Sequence, residues 1–200
     1  ALAFGGSSPP YASITEQWDG TNWTEVADLN TGRDEGMSAG IYTAALVIGG
    51  LADGAPYVTK TENWNGSSWT EIADLATGRA QGLSSAGTNT AAFVAGGNPG
   101  NLTSMEVFTA ATTFSKQVEG QLYFNSTSNA FKITEFDIPG ATWSSGGAMN
   151  SGRDSLGGAG TKTAGLAIGG YTGSAKSALT EKYDGSSWTE TGDLPTGTSH

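Results

Sequence analysis

The sequence has no cysteine and a single histidine, His200. The lack of cysteine excludes a disulfide framework, a thiol nucleophile and a thiolate metal site. A Ser-His-Asp triad would rest on that one histidine and is not expected. Basic residues are scarce as well. Lys and Arg total 9 against 19 Asp and Glu, for a net charge of −10. That excludes the broad basic surface that holds nucleic acid or anionic membrane. Long apolar runs are missing: TAALVIGG, residues 43–50, is a strand's length and stops at a Gly pair, far short of the roughly 18 residues of a membrane helix. The opening ALAFGG lacks the basic region of a signal peptide.

Glycine is abundant, at 31 of 200 residues. Thr, Val, Ile and aromatics accompany it, which favours short strands joined by tight turns. An apolar strand closed by Gly-Gly occurs four times: ALAFGG, ALVIGG, AFVAGG and GLAIGG, starting near residues 1, 45, 92 and 165. The spacing is 44 residues from Gly5 to Gly49, 47 from Gly49 to Gly96 and 73 from Gly96 to Gly169. The third unit therefore carries an insertion.

Each unit continues in the same order. A variable loop follows the Gly pair. Then comes a strand with Glu two residues before an aromatic: Glu16/Trp18, Glu62/Trp64, Glu106/Phe108 and Glu181/Tyr183. At period 2 the two side chains share one strand face. An Asp-Gly or Asn-Gly turn leads to Trp23, Trp69 and Trp188, with Trp143 in that place after the insertion. The strings ADLNTGR, ADLATGR and GDLPTGT follow, then a Gly/Ala-rich strand. That makes four short strands in each unit. A single four-stranded sheet cannot bury both faces, and stacking sheets around an axis solves this. Bulky aromatics suit the wide outer space, and Gly and Ala the crowded centre.

The Gly pair, the Glu-x-aromatic string, the spaced Trp and the later Leu and Gly-Arg together resemble the kelch repeat over nearly the whole chain. The expected fold is thus all-β: a kelch-like β-propeller of four repeat units, each a four-stranded blade. By alignment Thr198 takes the place of Arg33 and His200 that of Glu35, and residues 36–44 have no later counterpart. The expectation is a segment of a larger propeller, rather than four blades closed by other chains.

The insertion, residues 115–140, contains GQLYFN and AFKITEF around STSN, which predicts a β-hairpin. Its string EGQLYFNSTSNAFKI is similar to hairpins of bacteriophage tail fibres and other virion proteins. The wording WDGTNWTEVADLNT looks like repeats of marine phage structural proteins. These resemblances imply a non-enzymatic virion protein: a tail fibre, an appendage or a capsid-surface decoration. They imply a virion location, and as partners other virion subunits, host-surface glycan and, through self-assembly, a homo-oligomer. Neither nucleic-acid binding nor membrane insertion is expected, and no cofactor or metal. Tyr123, Phe124 and Phe131 of the hairpin are the candidate glycan or partner contacts. The variable loops, residues 7–13, 51–57, 98–104 and 171–177, are expected to carry specificity with them. The rival reading is a kelch-type protein–protein adaptor or a cell-surface protein.

The other candidates have simpler explanations. Asp19, Asn65 and Asp184 have the look of calcium ligands, yet an Asn substitutes at one copy, as a turn residue allows. Asp28, Asp74 and Asp193 are expected to cap turns. Arg33, Arg79 and Arg153 share one repeat position, which marks a structural role: ties between blades, with Glu16, Glu62, Glu106 and Glu181 as partners. The Gly pairs end strands with no helix after them, so no phosphate loop is expected.

Overall fold

The computed structural model describes residues 1–7, 10–82, 86–110, 122–125, 130–133 and 141–199, with the backbone alone at 86, 122–125 and 130–133. Every regular element among them is a strand. The first sheet joins β1 (Leu2–Phe4), β2 (Thr15–Trp18) and β3 (Trp23–Glu25). The second joins β4 (Met37–Ile41), β5 (Ala44–Ile48), β6 (Thr61–Trp64) and β7 (Trp69–Glu71). The third contains β8 (Ala86–Thr88), β9 (Ala91–Ala95) and β10 (Met105–Thr109). The strands β11 (Leu122–Asn125) and β12 (Ala130–Ile133) pair only with each other, and β13 (Thr142–Ser145) completes the third sheet beside β10. The fourth sheet is β14 (Gly157–Thr161), β15 (Ala164–Ile168), β16 (Thr180–Tyr183) and β17 (Trp188–Glu190).

All pairings are antiparallel between neighbours, so each sheet is a blade-like meander. The order within a sheet differs in phase from the repeat as read along the sequence. The Gly/Ala strand does not close the unit that precedes it. It opens the next sheet: β4 pairs with β5 and β14 with β15, in register Met37↔Ile48 and Gly157↔Ile168. A two-residue turn links each such pair, whereas a long connector separates the Gly/Ala strand from the Trp strand before it. Hairpin closure over a short loop costs less entropy, and it sets the phase.

The sheets pack face to face. Leu2 and Phe4 of the first meet Ala45, Val47, Trp64 and Trp69 of the second. Leu46 and Ile48 meet Val94 and Phe108 across the next interface. Phe93 and Met105 meet Ala167, Tyr183 and Trp188 across the third. Volume is conserved locally. Phe93 stands where the second sheet has Leu46, and Gly165 faces it where the third sheet has Ala92; a Cβ on Gly165 would lie 2.5 Å from the Phe93 ring. The Gly/Ala strands gather side by side, β4 beside β8 and β8 beside β14. Small side chains permit that approach.

In every sheet the aromatic of the Glu strand packs on the Trp of the next strand. Centroids are 5.6 Å apart for Trp18/Trp23, 5.3 Å for Trp64/Trp69, 5.2 Å for Phe108/Trp143 and 5.1 Å for Tyr183/Trp188. These pairs add to area burial by about 0.5–1.5 kcal/mol each.

Candidate functional site

Three buried ion pairs hold the frame. Arg33 Nη2 lies 2.5 Å from Glu62 Oε1, Arg79 Nη2 2.9 Å from Glu106 Oε1 and Arg153 Nη2 2.7 Å from Glu181 Oε1. Each arginine sits on the connector between two sheets and ties both. The carbonyl of Arg33 accepts the Gly6 N–H of the first sheet. Its guanidinium donates to Gly49 O, Lys60 O and Glu62 of the second. Glu62 also accepts Asn30 N–H, the Asn30 amide and Thr31 N–H. Both charges are thereby fully hydrogen-bonded, which is what a buried pair requires. Burial lowers the Arg33 and Arg79 pKa values, and Glu62 and Glu106 oppose that shift. The expected partners Glu62, Glu106 and Glu181 are thus in place. Glu16 is exposed and has no arginine beside it among the described residues.

The Asx turns are equally explicit. Asp19 Oδ1 accepts the N–H of Thr21 and Asn22, Asn65 Oδ1 those of Ser67 and Ser68, and Asp184 Oδ1 those of Ser186 and Ser187. Their oxygens serve the turn. Hydrogen bonds from Ser187 and then Ser186 hold the Asp184 carboxyl down at about 2, from an ordinary 3.8. The sign follows: this contribution to stability is complete above 3.8 and fades as pH falls toward about 2. A carbon-detected NMR titration should find the Asp184 midpoint near pH 2; a midpoint near 3.8 would mean that the turn does not form in solution. Asp28 and Asp74 accept the hydroxyls of Ser13 and Thr59, and Asp193 accepts Thr180 N–H. These bonds reach back to residues at or just before the start of the Glu strand of the same sheet, 13–15 positions away, rather than capping a local turn.

The four variable loops leave the same end of their sheets, after β1, β5, β9 and β15. They touch in pairs. Tyr11 N–H donates to Asp53 of the second loop at 3.1 Å. Asn101 of the third loop packs on Gly173 of the fourth. The glycine before each of Arg33, Arg79 and Arg153 passes beneath a loop, so that a Cβ on Gly32, Gly78 or Gly152 would collide with the carbonyl of Tyr11, Tyr57 or Asn101. The loops are therefore seated on the same connectors that carry the ion pairs.

A cavity of about 280 Å³ is lined by Glu35, Met37, Gln81, Ser155 and Leu156, at the ends of the connectors. Glu35, Gln81 and Ser155 hold one repeat position, and all three take left-handed backbone, with φ of 52°, 53° and 49°. Gln81 Nε2 donates to Glu35 Oε1 at 2.7 Å, and Ser155 N–H to Gln81 O at 2.9 Å. Asn98 donates to Gln81 Oε1 and Asp154 Oδ2. Sequence reasoning did not find this row. The signal was there, a polar residue two places after each arginine, but nothing local marks it as central. With Asp34, Asp53 and Asp154 nearby, the face is acidic, rich in amides and carboxylates, and suited to hydrogen-bonding a hydroxyl-rich or basic ligand.

The hairpin candidates fall elsewhere. Tyr123 pairs with Lys132 and Phe124 with Phe131 across β11 and β12. Their side chains, and the rest of residues 111–121, 126–129 and 134–140, lie outside the described residues. The attachment points are clear. Thr109 pairs with Ala91, at the start of β9, and with Thr142. The third loop follows Ala95, at the other end of β9. The insertion thus springs from the end opposite the four loops, so that loops and hairpin attach to different ends of the frame.

The chain matches no protein-family model and no curated protein sequence.

Proposed function

We propose that this chain is a kelch-like β-propeller segment of a bacteriophage virion, a non-enzymatic structural protein of a tail fibre, appendage or capsid surface. On this reading, its blades belong to a larger ring and its loop face binds a host-surface glycan or a neighbouring virion subunit. The observation that carries the reading is the union of a stiff frame with a variable face. Three buried Arg–Glu pairs sit on the connectors, and the loops rest directly on them. Loops held this way present polar groups with little entropy to lose on binding. The kelch-like wording of the repeats and the phage-like hairpin string support the virion assignment.

The test is a glycan array probed with the 200-residue protein, alongside pull-down with purified tail components. The expected result is saturable binding to one glycan class or one subunit, weakened by Asp53→Ala or Tyr171→Ala on the loop face. A flat array together with no tail component retained would overturn the reading. Retention of non-virion proteins alone would favour a protein–protein adaptor.

A further inference from the structure

Of the three Asx turns, the one between β6 and β7 starts with an amide and the other two with a carboxylate. Asn65-Gly66 is also the single Asn-Gly pair in the sequence. Asn65, Gly66 and Ser67 are exposed. Asn65 Oδ1 accepts three hydrogen bonds, each at 2.9 Å, from Ser67 N–H, Ser68 N–H and the Ser67 hydroxyl. Asn65 Nδ2 donates to Ser68 Oγ at 3.2 Å. The Gly66 N–H has no acceptor among the described residues, and glycine puts no side chain beside that nitrogen.

The backbone nitrogen that follows an asparagine closes a five-membered ring when it attacks the side-chain amide carbon. The attack is intramolecular, so the entropy of bringing the partners together is already spent. Negative charge then develops on the amide oxygen. Here that oxygen is Asn65 Oδ1, and three donors already stand at the distance an oxyanion requires. Asp184 displays the end state. Its Oδ1 accepts the same donor set, Ser186 N–H, Ser187 N–H and the Ser186 hydroxyl, at 2.9, 2.9 and 2.8 Å. A carboxylate therefore fits this turn without rearrangement. Asp184 itself is inert, because its carboxyl, held down at about 2, is ionised at neutral pH and is a poor electrophile.

We propose that Asn65 is a self-modification site, at which the turn converts the side-chain amide to a carboxylate with water as the only co-reactant. Gly66 N loses its proton to water and bonds to Asn65 Cγ, and the carbonyl electron pair moves onto Oδ1. Collapse breaks the Cγ–Nδ2 bond and releases ammonia. Ser68 Oγ, beside Nδ2, lends the proton that ammonia needs and regains one from the water. Water then adds to Cγ of the cyclic imide, the bond from Cγ to Gly66 N breaks, and that nitrogen recovers its proton. The new carboxyl group gives its own proton to ammonia. The donors polarise Cγ and not the backbone carbonyl, so hydrolysis restores the ordinary backbone and leaves an aspartate. The turn then matches those of Asp19 and Asp184, with charge-assisted hydrogen bonds in place of neutral ones. This inference uses only the turn's geometry and stands apart from the virion reading.

The test sets the 200-residue protein beside a synthetic peptide copying residues 61–71, TENWNGSSWTE, which has the same residues without the fold. Both are incubated at neutral pH in water enriched in heavy oxygen. Digestion at acid pH and mass spectrometry read the heavy oxygen gained at position 65, and an isoaspartate methyltransferase assay reads the product. The protein should convert at least as fast as the peptide and yield mainly aspartate, where the peptide yields mainly isoaspartate. Ser67→Ala should slow conversion in the protein roughly fivefold, the loss of one neutral hydrogen bond, and leave the peptide's rate unchanged. Slower conversion in the protein than in the peptide, isoaspartate as the protein's main product, or no effect of Ser67→Ala would each overturn the proposal. So would an Asn65→Asp variant that melts below the parent, because the turn would then reject its own product.

Discussion

Arg79→Ala is expected to cost about 3–5 kcal/mol of unfolding free energy, measured by urea denaturation, because it leaves a buried carboxylate without its cation. Arg79 is fully buried and Glu106 nearly so. The arginine also donates to Thr77 O, Gly96 O, Ser104 O and Ser104 Oγ, so the substitution removes five hydrogen bonds at once. Glu106→Gln in the same chain should recover part of the loss, since a neutral amide needs no counter-charge. Lys60 and Glu71 give the contrast. They also pair at 2.5 Å, but their side chains are 39% and 44% exposed. Removing Lys60 should therefore cost less than about 1 kcal/mol. If Arg79→Ala and Lys60→Ala prove equally mild, the connectors do not hold the sheets together.

The second large effect separates two tryptophans of adjacent sheets, one from the Glu strand and one from the strand beside it. Trp64→Ala is expected to cost about 3–5 kcal/mol, as truncation of a large buried aromatic does. Trp64 has no exposure, packs on Trp69 and donates its indole N–H to Tyr42 O at 3.0 Å. Trp23→Ala should cost less than about 1 kcal/mol, because half of that ring is already in water. Equal losses in the two variants would mean that the face of the first sheet is covered in solution, by self-association or otherwise. Sedimentation at the same concentrations distinguishes these cases.

A smaller irregularity shows how far repeat logic reaches. Trp69 donates its indole N–H to Thr15 Oγ1 in the preceding sheet, at 3.0 Å. The matching residue for Trp188 is Met105, which offers no oxygen, and the Trp188 indole N–H is buried without a partner among the described residues. The Thr61 hydroxyl is its counterpart one interface earlier, unpaired because Trp143 donates to Ala73 O instead. The repeat tolerates such polar mismatches while aromatic packing is kept, as where Phe93 fills the space against Trp188.

By itself the sequence determined what depends on a few consecutive residues. The strands are legible as apolar or Glu-x-aromatic runs, the turns as Asp-Gly and Asn-Gly with their Asx hydrogen bonds, and the ion-pair residues as charges recurring at one repeat position. Such features repeat wherever the string repeats, because their physics is backbone dihedral preference and short-range hydrogen bonding. The tertiary structure decided what depends on neighbours. It set the phase of the sheets, since pairing follows loop closure and not the order in which a repeat is read. It brought Glu35, Gln81 and Ser155 together in a row, although they lie about 45–75 positions apart in sequence. It put the hairpin's attachment opposite the loops. And it made Glu62 and Trp69 buried where Glu16 and Trp23 are exposed, although the strings around them are nearly the same: burial is a property of what lies across the interface, which no repeat unit encodes alone.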